Sequence, residues 1–182
     1  MTPEILKKEL KKICVEGSGK GRVELMSIKH TFDYESEIDK KKNLFNLVCD
    51  FPIVGEKSLA LSLNPDVAKR SIKNFEFTDA LKEHLGERPD APKIVKALED
   101  FFLYLSDFLK HKSTGVYPKN YTPTFKDGHF FMERTMNGTR FLVDSFQSNE
   151  TYYERVQLKL FVKELSNDAI VTLFLVPQTC EK

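Results

Sequence analysis

Apolar residues recur along this chain at two periods, three to four residues in some stretches and two in others, and each change of period marks an element boundary. Thr2-Pro3-Glu4 sets a capping hydroxyl before a first-turn proline and predicts a helix over 3–14 that turns Ile5, Leu6, Leu10 and Ile13 inward. Gly17, Ser18, Gly19 and Gly21 end that helix as a flexible turn. From Arg22 the period is two: Glu24, Met26, Ile28, His30, Phe32 and Tyr34 fall on one side of a long half-buried strand, and Ser27, Lys29, Thr31, Asp33 and Glu35 on the other. A charged loop, Glu37 to Lys42, leads to a strand with Phe45, Leu47, Cys49 and Phe51 on one face, broken at Pro52 and Gly55. A further strand over 58–63 places Leu59, Leu61 and Leu63 together and stops at Asn64-Pro65.

The pattern then becomes helical from Val67 to Phe75 and again from Thr78 to Leu85. The strongest helical stretch covers 92–112, where Ile94, Leu98, Phe101, Phe102, Leu105 and Leu109 form a broad stripe. Such a helix is ~30 Å long and needs a large surface to lie on. Residues 113–128 show neither period, and a structureless connection of that length is uncommon unless it is used. Strands return over 129–136, 139–147, 151–165 and 168–176. The last is apolar on both sides except Thr172, as in a central strand or one covered on both faces.

Asn137-Gly138 suits the positive φ angles of a two-residue hairpin turn. That turn pairs Met136 with Thr139, Arg134 with Phe141, Met132 with Val143 and Phe130 with Ser145, which puts a mostly apolar face toward the core. The opposite face collects His129, Phe131, Glu133, Arg140, Leu142, Asp144 and Phe146, with Glu133 and Arg140 in diagonal reach. The elements together predict a single α+β domain over 1–182: a curved antiparallel sheet of six or seven strands with the long amphipathic helix packed across its concave face. That shape is similar, in architecture alone, to half-barrel carriers and helix-grip folds, which can leave an apolar pocket between sheet and helix.

Composition changes this picture in one respect. Fifteen Phe and six Tyr stand beside no Trp, so the interior is filled by phenyl rings or hollowed between them. The 28 basic and 27 acidic residues leave a net charge of +1, which gives no global field toward nucleic acid. No apolar run is long enough to span a bilayer.

The candidate chemistry is thin. Gly17-Ser-Gly-Lys-Gly21 leaves a helix and enters a strand, the reverse of a phosphate-binding loop. The four histidines have no metal-ligand spacing: His30 sits at the edge of an apolar face, and His84 and His111 lie at helix C-termini, which favour a cation. His129 and Glu133 are ~13 Å apart along one strand face, too far to act as a pair. Absence of a nucleophile elbow weakens an enzymatic reading, and no cofactor or metal is called for. Asn120, Asn137 and Asn149 each open a glycosylation motif, which matters only on a eukaryotic secretory route. The three cysteines, an odd number without metal spacing, fit a reducing compartment and favour the cytoplasm; one terminal pair, with export, is the alternative. Cys49, among Phe45, Leu47 and Phe51, reads as a small buried hydrophobe.

The expected function is therefore non-catalytic: a carrier that holds an apolar small molecule or a lipid-modified partner between helix and sheet. Its expected lining is Phe32, Phe45, Phe101, Phe102, Phe108 and Phe141, with the loop of Tyr117 and Tyr121 as mouth or lid. The alternative is a protein-interaction module, such as a secretion chaperone, adaptor or toxin-neutralising protein, using Phe131, Glu133, Arg140, Leu142 and Phe146.

Overall fold

A computed structural model describes residues 1–181. The order is α1 (Pro3–Lys12), β1 (Gly17–Leu25), β2 (Ile28–Asp39), β3 (Leu44–Phe51), β4 (Gly55–Ser62), α2 (Pro65–Ser71), α3 (Glu76–Leu85), α4 (Ala91–Thr114), β5 (Thr122–Lys126), β6 (His129–Met136), β7 (Thr139–Ser148), β8 (Tyr153–Val162) and β9 (Val171–Cys180). All nine strands form one open antiparallel sheet in the order β4-β3-β2-β1-β9-β8-β7-β6-β5, so the last strand returns to pair with the first. The helices pack on one face of this sheet, and the core lies between them.

The sheet has nine strands where the alternation predicts six or seven, and two particular segments account for the difference. The glycine run is not a turn but the first half of β1, paired to β2 on one side and β9 on the other. A Cβ on Gly19 would lie 2.3 Å from the Val176 carbonyl oxygen, and one on Gly21 would lie 2.6 Å from the Phe32 ring. These glycines let neighbouring groups approach, which is a packing role that a local turn signal imitates. The long strand from Arg22 is in fact two, because Leu25 pairs directly with Ile28 around Met26-Ser27, with Met26 at φ 56°. The turn reverses the parity of the pattern, so Val23 and Leu25 face the helices while Glu24 faces away and pairs with Arg22 at 2.9 Å.

The second addition is β5, an edge strand within the segment that lacks any period; its Pro123 donates no hydrogen bond and blunts the edge. The hairpin at Asn137-Gly138 forms in the expected register, pair for pair, with φ of 42° and 83° at the two turn residues. β9 runs on past Pro177 to Cys180 and lies between β1 and β8, consistent with its two apolar sides.

α4 is 24 residues, ~36 Å long, and its stripe from Ile94 to Leu109 is buried. The Ser106 hydroxyl donates to the Ser62 carbonyl at 2.5 Å, tying the helix to the end of β4. Of the α1 residues expected inward, Leu10 is buried and Leu6 partly so, with Ile13 buried at the cap, whereas Ile5 is exposed. Cys14 and Cys180 form a disulfide with Cα atoms 5.9 Å apart, joining the end of α1 to the end of β9. A disulfide departs from the reducing-compartment reading of the cysteines. Among the described residues no helix is long and apolar enough to cross a membrane.

Candidate functional site

Between the helices and the β1, β2, β3, β4 and β9 part of the sheet lies a cavity of about 370 Å³. Period-two alternation sends Val23 and Leu25 from β1, Ile28 and Phe32 from β2, Leu47, Cys49 and Phe51 from β3, Leu59 from β4, and Val171 and Leu173 from β9 into it. The helices close the other side with Phe77 and Leu81 of α3 and Leu98, Phe101, Phe102 and Leu105 of α4. Val23, Leu25, Ile28 and Leu173 are only half-buried although they face the helices. The layer above them is therefore incomplete, and the cavity opens near the β1–β2 and β3–β4 turns. Those turns carry Met26, Ile53 and Val54, which are exposed, Ile53 at 97 %.

The lining is apolar apart from four ionisable groups: His30, Lys57, Glu76 and His84. Each lies at the rim, exposed or half-buried. Cys49 is buried within, and desolvation pushes its thiol up to about 12, so it is a hydrophobic wall and not a nucleophile at neutral pH. The cavity thus offers dispersion contacts over an apolar length and polar contacts only at its mouth.

Of the residues expected to line such a space, Phe32, Phe101 and Phe102 do so. Phe45, Phe108 and Phe141 are buried elsewhere in the core. Phe141 stacks on Tyr104 with centroids 5.2 Å apart, and Phe108 packs by Tyr121 at 6.4 Å. Tyr117 and Tyr121 do not lie at the mouth. Tyr117 packs against the core, and the Tyr121 hydroxyl donates to Asp107 at 3.3 Å. Asp107 also accepts from Arg134 at 2.7 Å, with His111 at 3.6 Å and Lys110 at 3.8 Å. Burial holds the His111 imidazole below its ordinary value, against the raising pull of Asp107. This cluster ties α4 to β6 and the loop before β5. Tyr121 and His111 were read from the sequence in other roles, because the meeting of these residues depends on long-range packing.

The face away from the helices carries the second set. Glu133 and Arg140 meet at 3.5 Å, as the hairpin register implies, and the Arg140 guanidinium lies over Phe161 at 4.0 Å. His129 is sandwiched between Phe131 and Phe146, with centroid distances of 5.4 and 4.5 Å. Its Nδ1 lies 2.6 Å from the Asp144 carboxylate, which fixes the proton on that nitrogen and orients the ring. Phe131, Leu142 and Phe146 are half-buried on this face. The Asp144 contact and the two flanking phenyl rings together hold the imidazole in place, and among the described residues no hydroxyl or thiol hydrogen-bonds to His129.

Sequence reasoning missed most of the lining beyond Phe32, Phe101 and Phe102, among it Val23, Leu25, Leu47, Phe51, Leu173 and the rim groups. Placing Val23 and Leu25 required knowing that the chain turns back at Met26-Ser27. No known protein-family model matches this chain, and no curated protein matches it.

Proposed function

We propose that this protein is a non-catalytic carrier, holding an apolar molecule or the lipid moiety of a partner in the cavity between α3, α4 and the sheet, with the sheet bending around the long helix. The single observation that supports this reading is the incompletely covered cavity of about 370 Å³, within the size range of ligand pockets and polar only at its rim. A core that merely needed filling would bury Val23, Leu25, Ile28 and Leu173; leaving four apolar side chains partly exposed is costly without an occupant. The exposed Met26, Ile53 and Val54 beside the opening suit a route by which an apolar molecule passes without crossing open water. The Cys14–Cys180 disulfide favours an oxidising compartment such as a periplasm or the exterior.

A native mass measurement on freshly purified protein tests this reading. The expected result is a population heavier than the chain by the mass of a lipid, lost on organic extraction. A homogeneous bare chain that also takes up no added amphiphile would refute it.

One observation favours a second reading, a protein-interaction module. The outward face of β6 and β7 presents Phe131, Leu142 and Phe146 half-exposed, with His129 wedged among the rings. In that case Phe131→Asp or Leu142→Asp would abolish partner binding and leave the melting temperature unchanged.

A further inference from the structure

We propose that the occupant of the cavity is a single-chain carboxylic acid, its alkyl chain among Phe32, Phe102 and Leu173 and its carboxylate at the mouth against Lys57, His30 and His84. This rests on the carrier reading above and adds the chemical class of the ligand.

The only polar side chain in the interior is the weakly hydrogen-bonding Cys49 thiol, so a ligand with a buried hydroxyl or amide would lose hydrogen bonds to water with little replacement. Polar contact is available only at the rim, which dictates an amphiphile with its head at one end. The volume of about 370 Å³ stands near the lower end of ligand pockets and suits one chain better than two.

The rim's charges select the head. Glu76 is the first residue of α3, where the unpaired N–H groups of the helix start already favour its carboxylate. His84 lies in the last turn of α3, whose carbonyl end favours a cation, whereas Lys57 on β4 has no such built-in counterpart. Among the described residues Lys57 carries no ion pair, unlike Lys20 with Asp33 or Lys96 with Asp100. Lys57 is half-buried on β4 and lines the cavity while its neighbours Glu56 and Ser58 are exposed. The imidazoles of His30 and His84 also line the cavity at its exposed rim, where each can supply a hydrogen-bond donor. An anionic head seated at Lys57 gains an opposite charge, whereas a cationic head would meet a like one.

Neutral phosphatidylcholine vesicles loaded with equal amounts of dodecanoic acid and dodecanol provide the test, the bound ligand being extracted from the re-isolated protein and quantified. The parent protein is expected to hold the acid at least tenfold over the alcohol. Lys57→Gln should cut acid uptake about tenfold and leave alcohol uptake unchanged, and His30→Gln with His84→Gln should cut it further. Equal uptake of acid and alcohol by the parent, or an equal loss of both in Lys57→Gln, overturns the carboxylate assignment and leaves the carrier reading standing. Uptake of neither by the parent overturns both.

Discussion

Cys49 and Lys112 show what burial does to single ionisable groups, in opposite directions. With its thiol pushed up to about 12, Cys49 should resist iodoacetamide at pH ~8 in the native protein and react only on unfolding, which peptide mass mapping can follow. Lys112, whose ammonium donates to the Lys11 carbonyl at 2.9 Å, is pulled down to about 8 by burial, against the raising effect of Glu16. Between about 8 and its ordinary value of 10.5 the unfolded chain holds the extra proton, so Lys112 makes stability rise with pH across that window. The difference in melting temperature between the parent and Lys112→Met should therefore move in the parent's favour from pH ~8 to ~9.5; a constant difference would show that Lys112 does not titrate there. Cys49 was legible from the sequence, since its face companions Phe45, Leu47 and Phe51 are all buried around it. Lys112 was not, because nothing local reports that the end of α1 lands on it.

The elements most readable from sequence are those whose signals are local. α4 announces itself by a stripe from Ile94 to Leu109, and the β6–β7 hairpin by Asn137-Gly138, whose turn geometry dictates every pair that follows. β1 is the contrary case. Gly17, Gly19 and Gly21 resemble a linker because the reason for them lies in strands distant along the chain: the Val176 carbonyl and the Phe32 ring occupy the places a side chain would take. Gly19→Ala should accordingly lower unfolding free energy by about 1–3 kcal/mol in urea titration, the range for overpacking. A neutral result would mean that β1 and β9 part easily. The Met26-Ser27 turn evaded detection for a different reason: it contains no Gly, Pro, Asn or Asp, and a single Ser is too weak a turn signal to interrupt the alternation that reads straight through it. Missing it assigned Glu24 to the wrong face and hid Val23 and Leu25, and with them part of the cavity wall.

At the scale of the molecule, two features bind the design together: the pairing of β1 with β9, and the disulfide that joins the chain's two ends beside it. A bridge across 166 residues restricts the unfolded chain strongly, and Cys14→Ser with Cys180→Ser should cost about 2–4 kcal/mol in denaturant unfolding, with no change in ligand uptake because both cysteines lie apart from the cavity lining. The antiparallel sheet with helices on one face followed from the order of periods, but the hollow did not. Fifteen Phe are compatible with a solid core or an open one, and only the packing of Phe101 and Phe102 beside an uncovered Val23 and Leu173 distinguishes them. The most direct measurement is binding of a dansyl-labelled fatty acid to the parent and to Val23→Trp, which fills the cavity from β1. The account predicts saturable, one-to-one binding with blue-shifted emission in the parent, weakened at least tenfold in Val23→Trp with little change in melting temperature. Equal binding by both proteins, or none by the parent, would contradict it.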